Sequence, residues 1–237
     1  KNLLYILKYS YIHNYIPIIP KFQLSKKFNF GKELYTNMSE FYNYNEIKIN
    51  NKHFKVCVSL DEIPIDANII FKFIDEDNLN LIESAIKNLS YHILDINIPY
   101  STNVIDIGNK VIEKLSPVYT CINIKRSKDL LKKYPSLKNK LSKTNVVKKL
   151  NDIFSVQNVY IIMDELKESE YSSTGTFYNF FFFTCFPELV AFKTNRYMLY
   201  ILESYIESKA FKKISTFKYG NSYNDSFTKI KIDNIEQ

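Results

Sequence analysis

Apolar positions along this chain follow two rhythms, one helical and one alternating, and their order predicts where helices and strands fall. Leu4, Ile6, Leu7 and Tyr11 sit at helical intervals within Leu3 to Tyr15, and Ile16-Pro17-Ile18-Ile19-Pro20 then reads as a short buried strand stopped by proline. A helix feeding a strand is half of a βαβ unit. Lys52 to Val58 alternates and predicts a strand leading to the loop at Pro64, and Ile69 to Phe73 is another strand candidate. Leu79, Ile82, Ile86 and Leu89 mark a helix, and Tyr91 to Ile98 is a further strand candidate. Phe28 to Tyr44 is polar and aromatic without a firm period. Residues 1–100 thus predict a mixed α/β domain.

From Asn103 onward the alternation is more regular. Val104, Ile107, Val111, Ile112 and Leu115 predict a helix, followed by a strand over Val118 to Ile124. After the polar connection Lys128 to Leu141 come a helix over Val146 to Phe154 and a strand over Val159 to Met163. Phe177 to Phe186 is dense in aromatic residues and reads as a buried strand or core segment, with a carbohydrate-stacking platform as the alternative. Arg196 to Phe211 carries an apolar stripe at Met198, Ile201, Leu202, Tyr205, Ile206 and Ala210, and Ile214 to Phe217 follows as a short strand. Strands alternating with helices predict a parallel sheet with helices on both faces, so residues 101–237 are expected to form a second, Rossmann-like α/β domain.

Composition narrows this picture only a little. At 237 residues and 46% hydrophobic, the chain is long enough to bury a substantial core. The +7 charge comes from lysines scattered through an Asn-, Lys- and Ile-rich sequence rather than gathered into a basic tract, which argues against nucleic-acid binding. Three cysteines, Cys57, Cys121 and Cys185, are too few and too far apart for a disulfide framework or a tetrahedral metal site. No run of 18 apolar residues exists, so no membrane span is expected. The chain opens at Lys1 directly in helix-like sequence, and its natural N-terminus is expected to lie upstream.

Chemistry-bearing residues gather at the ends of the predicted strands. Lys125-Arg126 follows one strand and Asp164-Glu165 another, while Ser215-Thr216 sits in the last strand and Asp225-Ser226-Phe227-Thr228 lies beyond it. Ligands of open parallel sheets lie in the crevice outside the carboxyl ends of the strands. A basic pair answers a pyrophosphate, hydroxyls and backbone N–H groups before a helix serve the same phosphates, and acids hydrogen-bond a ribose or base. Taken singly, each feature also has a plain reading: a solvated Lys-Arg pair, or an Asp-Glu turn that caps the next helix. The order of the features favours the functional one. His13, His53 and His92 match no such position and read as surface or core histidines.

In this arrangement the chain resembles the O-fucosyltransferase-like family of glycosyltransferases. Four places carry the resemblance. Leu7 to Phe22 looks like that family's early helix and proline-ended strand. Tyr119 to Ser127 looks like its strand ending in His-x-Arg-Arg-Gly-Asp, and Val159 to Glu165 like its strand ending in Thr-Asp-Glu. Tyr197 to Phe217, with Asn221 to Thr228, looks like its closing helix, strand and Ser-Phe loop.

The resemblance implies a GT-B fold of two Rossmann-like domains with parallel sheets, the first incomplete here. It further implies transfer of fucose from GDP-fucose to a protein or glycan hydroxyl without a metal, in the secretory pathway. Lys125 and Arg126 would then neutralise the pyrophosphate, Asp164 or Glu165 would orient the nucleoside, and Ser215, Thr216, Asp225, Ser226 and Thr228 would hold the phosphates with Phe227 as a packing anchor. The sequence departs from the family at Asn123, where the family has His, at Lys125, where it has Arg, and at Ser127-Lys128, where it has Gly-Asp. Lysine keeps the charge but not the planar fork, which leaves an inactive nucleotide- or glycan-binding module as the alternative. A plain protein-interaction domain is the third reading.

Overall fold

The computed structural model describes residues 2–19, 22–24, 34–63, 94–124, 141–153, 155–163 and 168–215, together with Lys132 and Pro135. The chain divides into two compact units, Lys1–Val104 and Ile105–Gln237. The strand candidate Ile69 to Phe73, the helix Leu79 to Leu89 and His92 lie outside the described residues.

In the first unit, α1 (Asn2–Ile12) matches the helical stripe. It ends where Asn14 turns left-handed at φ 55°, with Tyr15 N–H bonded to the Ser10 carbonyl at 2.7 Å and Asn14 N–H to that of Tyr11 at 3.3 Å. These crossed bonds use carbonyls that a helix end would otherwise leave without donors. The turn brings Tyr15 back toward His13 and Tyr9, whose rings meet it at 5.7 and 6.2 Å between centroids. His53, by contrast, is held by a 2.7 Å hydrogen bond between its Nε2 and the Asn45 carbonyl.

The strands of this unit differ from the expected parallel arrangement. β1 (Phe22–Leu24) pairs antiparallel with β2 (Leu34–Thr36). β3 (Lys48–Ile49) pairs antiparallel with both β4 (Lys52–His53) and β5 (Ile96–Asn97). Between β3 and β4 stand only Asn50 and Asn51, at φ 51° and 61°. A two-residue turn with both φ positive reverses the chain into a hairpin and cannot produce a parallel crossover. Parallel pairing survives among the described residues of this unit only as an isolated bridge between Ile18 and Cys57, because Pro17 supplies a carbonyl but no N–H. Leu7, Ile19, Met38, Ile47, Ile49 and Val56 form the core beneath α1.

The second unit is α/β and contains the predicted parallel sheet. α2 (Thr102–Leu115), which begins in the first unit, precedes β6 (Thr120–Ile124), and α3 (Lys143–Asp152) leads into β7 (Asn158–Met163). β8 (Asn179–Phe181), the short helix α4 (Pro187–Val190), α5 (Arg196–Lys209) and β9 (Lys212–Ser215) complete it. The strand order is β8-β7-β6-β9, parallel throughout. Chain order is therefore third, second, first, fourth, the Rossmann-like order whose direction reverses between the first strand and the fourth.

One face of this sheet is apolar. Ile122, Ile124, Val159, Ile161, Met163, Phe180 and Ile214 pack there against Val146 and Leu150 of α3. Phe180 and Phe182 belong to the same core with Tyr171 and Tyr178, so the aromatic run is chiefly edge-strand packing, although Phe177 is 67% exposed.

The opposite face is covered by α5. Buried Tyr119 donates its hydroxyl to the Ile206 carbonyl at 2.6 Å, supplying a partner to one of the last carbonyls of that helix. Tyr205 reaches across to α2, where its hydroxyl donates to Asn109 Oδ1 at 2.9 Å. Its ring lies so close to Gly108 that a Cβ there would come within 2.3 Å of Cδ1, so glycine is required for the approach.

Tyr119→Phe keeps the ring and removes only the donor, leaving a buried carbonyl short of its bond. The expected cost is about 1–3 kcal/mol in urea unfolding; a loss below a few tenths would show that the bond does not hold α5.

Candidate functional site

The reversal of strand order between β6 and β9 defines the candidate site. Their last paired residues are Asn123 and Ser215, both half-buried, and side-chain alternation directs the pair to the α5 face. Lys125, Arg126, Asp164, Glu165, Thr216, Asp225, Ser226, Phe227 and Thr228 lie outside the described residues, so of the expected site residues only Ser215 has a described position. In the chain, Lys125 comes one residue after the end of β6, Asp164 one after β7 and Thr216 one after β9.

The described residues also contain a polar layer that sequence reasoning missed. Beneath α5, Tyr160 donates its hydroxyl to Glu203 Oε1 at 3.2 Å, and Glu203 is 8% exposed. One helical turn later Glu207 receives Asn123 Nδ2 at 3.4 Å. Cys121, next to Asn123 on this face, pairs in register with Tyr160 on one side and Lys213 on the other. The signal in the sequence was Glu203, which falls at helical spacing between Leu199 and Ile206, inside the buried stripe.

Electrostatics follow from this layer. Burial pushes the Cys121 thiol well above its ordinary range, Glu207 and Glu203 push it further, and Lys213 opposes them. The Tyr160 hydroxyl is raised in the same way, by burial first and by Glu203 next. Buried and with its thiol pushed upward, Cys121 is held in the neutral form, which is the poorer nucleophile. The only exposed cysteine is Cys185. Among the described residues no group of His, Cys, Asp or Glu is arranged to hold a metal ion, and no helix is long and apolar enough to cross a membrane.

Comparison with protein-family models, with curated proteins and with solved structures finds no significant match.

The raised thiol and phenol have a consequence for stability. In the unfolded chain Cys121 ionises near its ordinary 9.0 and Tyr160 near 10.0, whereas the folded state keeps both protonated to higher pH. The native state then binds more protons, so stability falls as pH rises through about 9 and above. Urea midpoints measured between pH 7 and 10.5 should show this decline. Cys121→Ala should shift its onset upward toward the tyrosine range; an unchanged onset would mean that Cys121 does not contribute.

Proposed function

We propose that the second unit is the nucleotide-sugar-binding half of a GT-B-like glycosyltransferase that transfers fucose from GDP-fucose to a protein or glycan hydroxyl. The observation that carries this reading is the reversal of strand order between β6 and β9. In an open α/β sheet that point marks a crevice for a nucleotide, and Lys125-Arg126 and Thr216 follow in the chain directly after the two strands that flank it.

In this reading Lys125 and Arg126 neutralise the pyrophosphate, assisted by the hydroxyls of Ser215, Thr216, Ser226 and Thr228, with Phe227 as an anchor for the loop that begins at Asp225. Asp164 or Glu165 orients the nucleoside. The acceptor oxygen attacks the anomeric carbon as the bond to the β-phosphate breaks, and the cations offset charge growing on the departing GDP. No metal is required, because the two side chains supply the compensating charge.

A second reading is favoured by one observation. At the position of the family's histidine this chain has Asn123, whose amide is turned to Glu207 and has no titratable proton to transfer. With Lys125 in place of a planar guanidinium, a binding module that holds the nucleotide without turnover is the alternative.

Thermal unfolding in the presence of GDP, GDP-fucose or UDP tests the proposal. A ligand at 100 times its dissociation constant stabilises the native state by roughly 2.7 kcal/mol. The expected outcome is a shift with both guanine ligands, none with UDP, and its loss in Arg126→Ala. Absence of any shift in the unaltered protein would remove the donor-site assignment. Binding without fucose release or transfer would select the inactive module.

A further inference from the structure

Polar side chains are not spread evenly over the α5 face of the sheet. Toward the carboxyl ends of β7 and β8 that face presents Tyr160, Ile162 and Phe181, with Asn158 and Asn179 bonded to each other at the opposite, amino ends, whereas on β6 and β9, the strands flanking the reversal, it presents Cys121, Asn123, Lys213 and Ser215. α5 adds Glu207, in hydrogen-bond contact with Asn123. Asn123, Lys213, Ser215 and Glu207 are all half-buried, so solvent reaches them, while the α3 face of the same two strands, beyond Thr120 and Lys212 at their amino ends, is closed by Ile122, Ile124 and Ile214. Polar groups partly withdrawn from water require polar partners, and a cluster of them beside a topological switch point suits a ligand-facing wall.

The chemistry of this wall selects its ligand. A carboxylate repels phosphate, so the set does not suit the pyrophosphate. One carboxylate, one ammonium, one amide and one hydroxyl together offer both acceptors and donors and nearly balance in charge. That complement fits a neutral ring bearing several hydroxyls. We propose that Asn123, Lys213, Ser215 and Glu207 form a sugar-ring subsite, with Glu207 accepting hydrogen bonds from ring hydroxyls and Asn123 fixing the orientation of its carboxylate. The assignment rests on the nucleotide-sugar reading above, and it places the uncharged part of the ligand on the α5 side of the crevice.

A nucleotide sugar carries two such rings, its ribose and its hexose. Glu207→Gln retains the size of the side chain and removes the charged acceptor; Ser215→Ala is a milder second variant, and unfolding midpoints establish that both fold. Dissociation constants for GDP, 2′-deoxy-GDP and GDP-fucose are measured on the full chain. Loss of about tenfold or more in the preference for GDP over 2′-deoxy-GDP in Glu207→Gln would assign the subsite to ribose. An equal loss confined to the preference for GDP-fucose over GDP would assign it to the hexose. Wild-type binding of GDP with both preferences unmoved in either folded variant would overturn the subsite while leaving the nucleotide site intact. Failure of the wild-type chain to bind any of the three would overturn the nucleotide-sugar reading, and the subsite with it.

Discussion

The seating of α5 on the sheet is the constraint from which the rest of the second unit follows. The chain builds β6, β7 and β8 side by side in one direction, and must then return past two strands to place β9 against the free side of β6. Right-handed crossovers put helices of opposite travel on opposite faces. The contacts agree: α3 packs on the apolar face with Ile122 and Ile161, and α5 on the other with Tyr119, Tyr160 and Asn123. Without the return crossing there would be no reversal of order between β6 and β9.

The two helices meet the sheet through different physics. α3 meets the strands through apolar side chains, burying Val146 and Leu150 among aliphatic and aromatic residues, and its Asn151 accepts a hydrogen bond from the Tyr178 hydroxyl just before β8. α5 also buries Leu199, Leu202 and Ile206, but adds directional bonds at Glu203, Glu207 and the Ile206 carbonyl. A slip of one residue along the helix axis, about 1.5 Å, and the accompanying rotation would break these bonds in a place of low dielectric. Buried polar contacts often add little net stability, yet they make alternative registers costly. These bonds fix α5 against the strand that carries Asn123.

Much of this unit was legible in the sequence because its elements have strong, uninterrupted periods. The helix α2 begins within one residue of its expected start, and β7 gains only Asn158. β9 begins at Lys212, two residues earlier than the apolar run Ile214 to Phe217 suggested, since a strand pairing with β6 needs backbone groups and not apolar side chains. The first unit was less legible for a related reason. Its strands are two or three residues long, too short for alternation to register, and the Asn50-Asn51 turn that dictates antiparallel pairing is easily lost in a chain where asparagine is common. The candidate site was legible only as a set of chain positions after strands. Glu203 and Glu207 escaped notice because acids on a helix ordinarily face solvent, and only the sheet's position shows that these two lie over it.

Charge divides the proposed site into two parts. Lys125 and Arg126 follow β6 in the chain and carry two positive charges, whereas beneath α5 Lys213 and the carboxylate of Glu207 both act on Cys121 with opposite sign. A nucleotide sugar has the matching division, with its negative charge confined to the pyrophosphate and its rings uncharged. Phosphate directed toward Glu207 would meet repulsion in partly desolvated surroundings, where a charge pair interacts far more strongly than in water. The carboxylate therefore serves the proposed orientation twice, by accepting hydroxyl donors and by excluding the phosphates. An inactive binding module would need this sorting as much as an enzyme would. The polar wall consequently bears on which end of the proposed ligand goes where, and in the proposed reaction turnover depends instead on Lys125, Arg126 and the group that removes the acceptor proton.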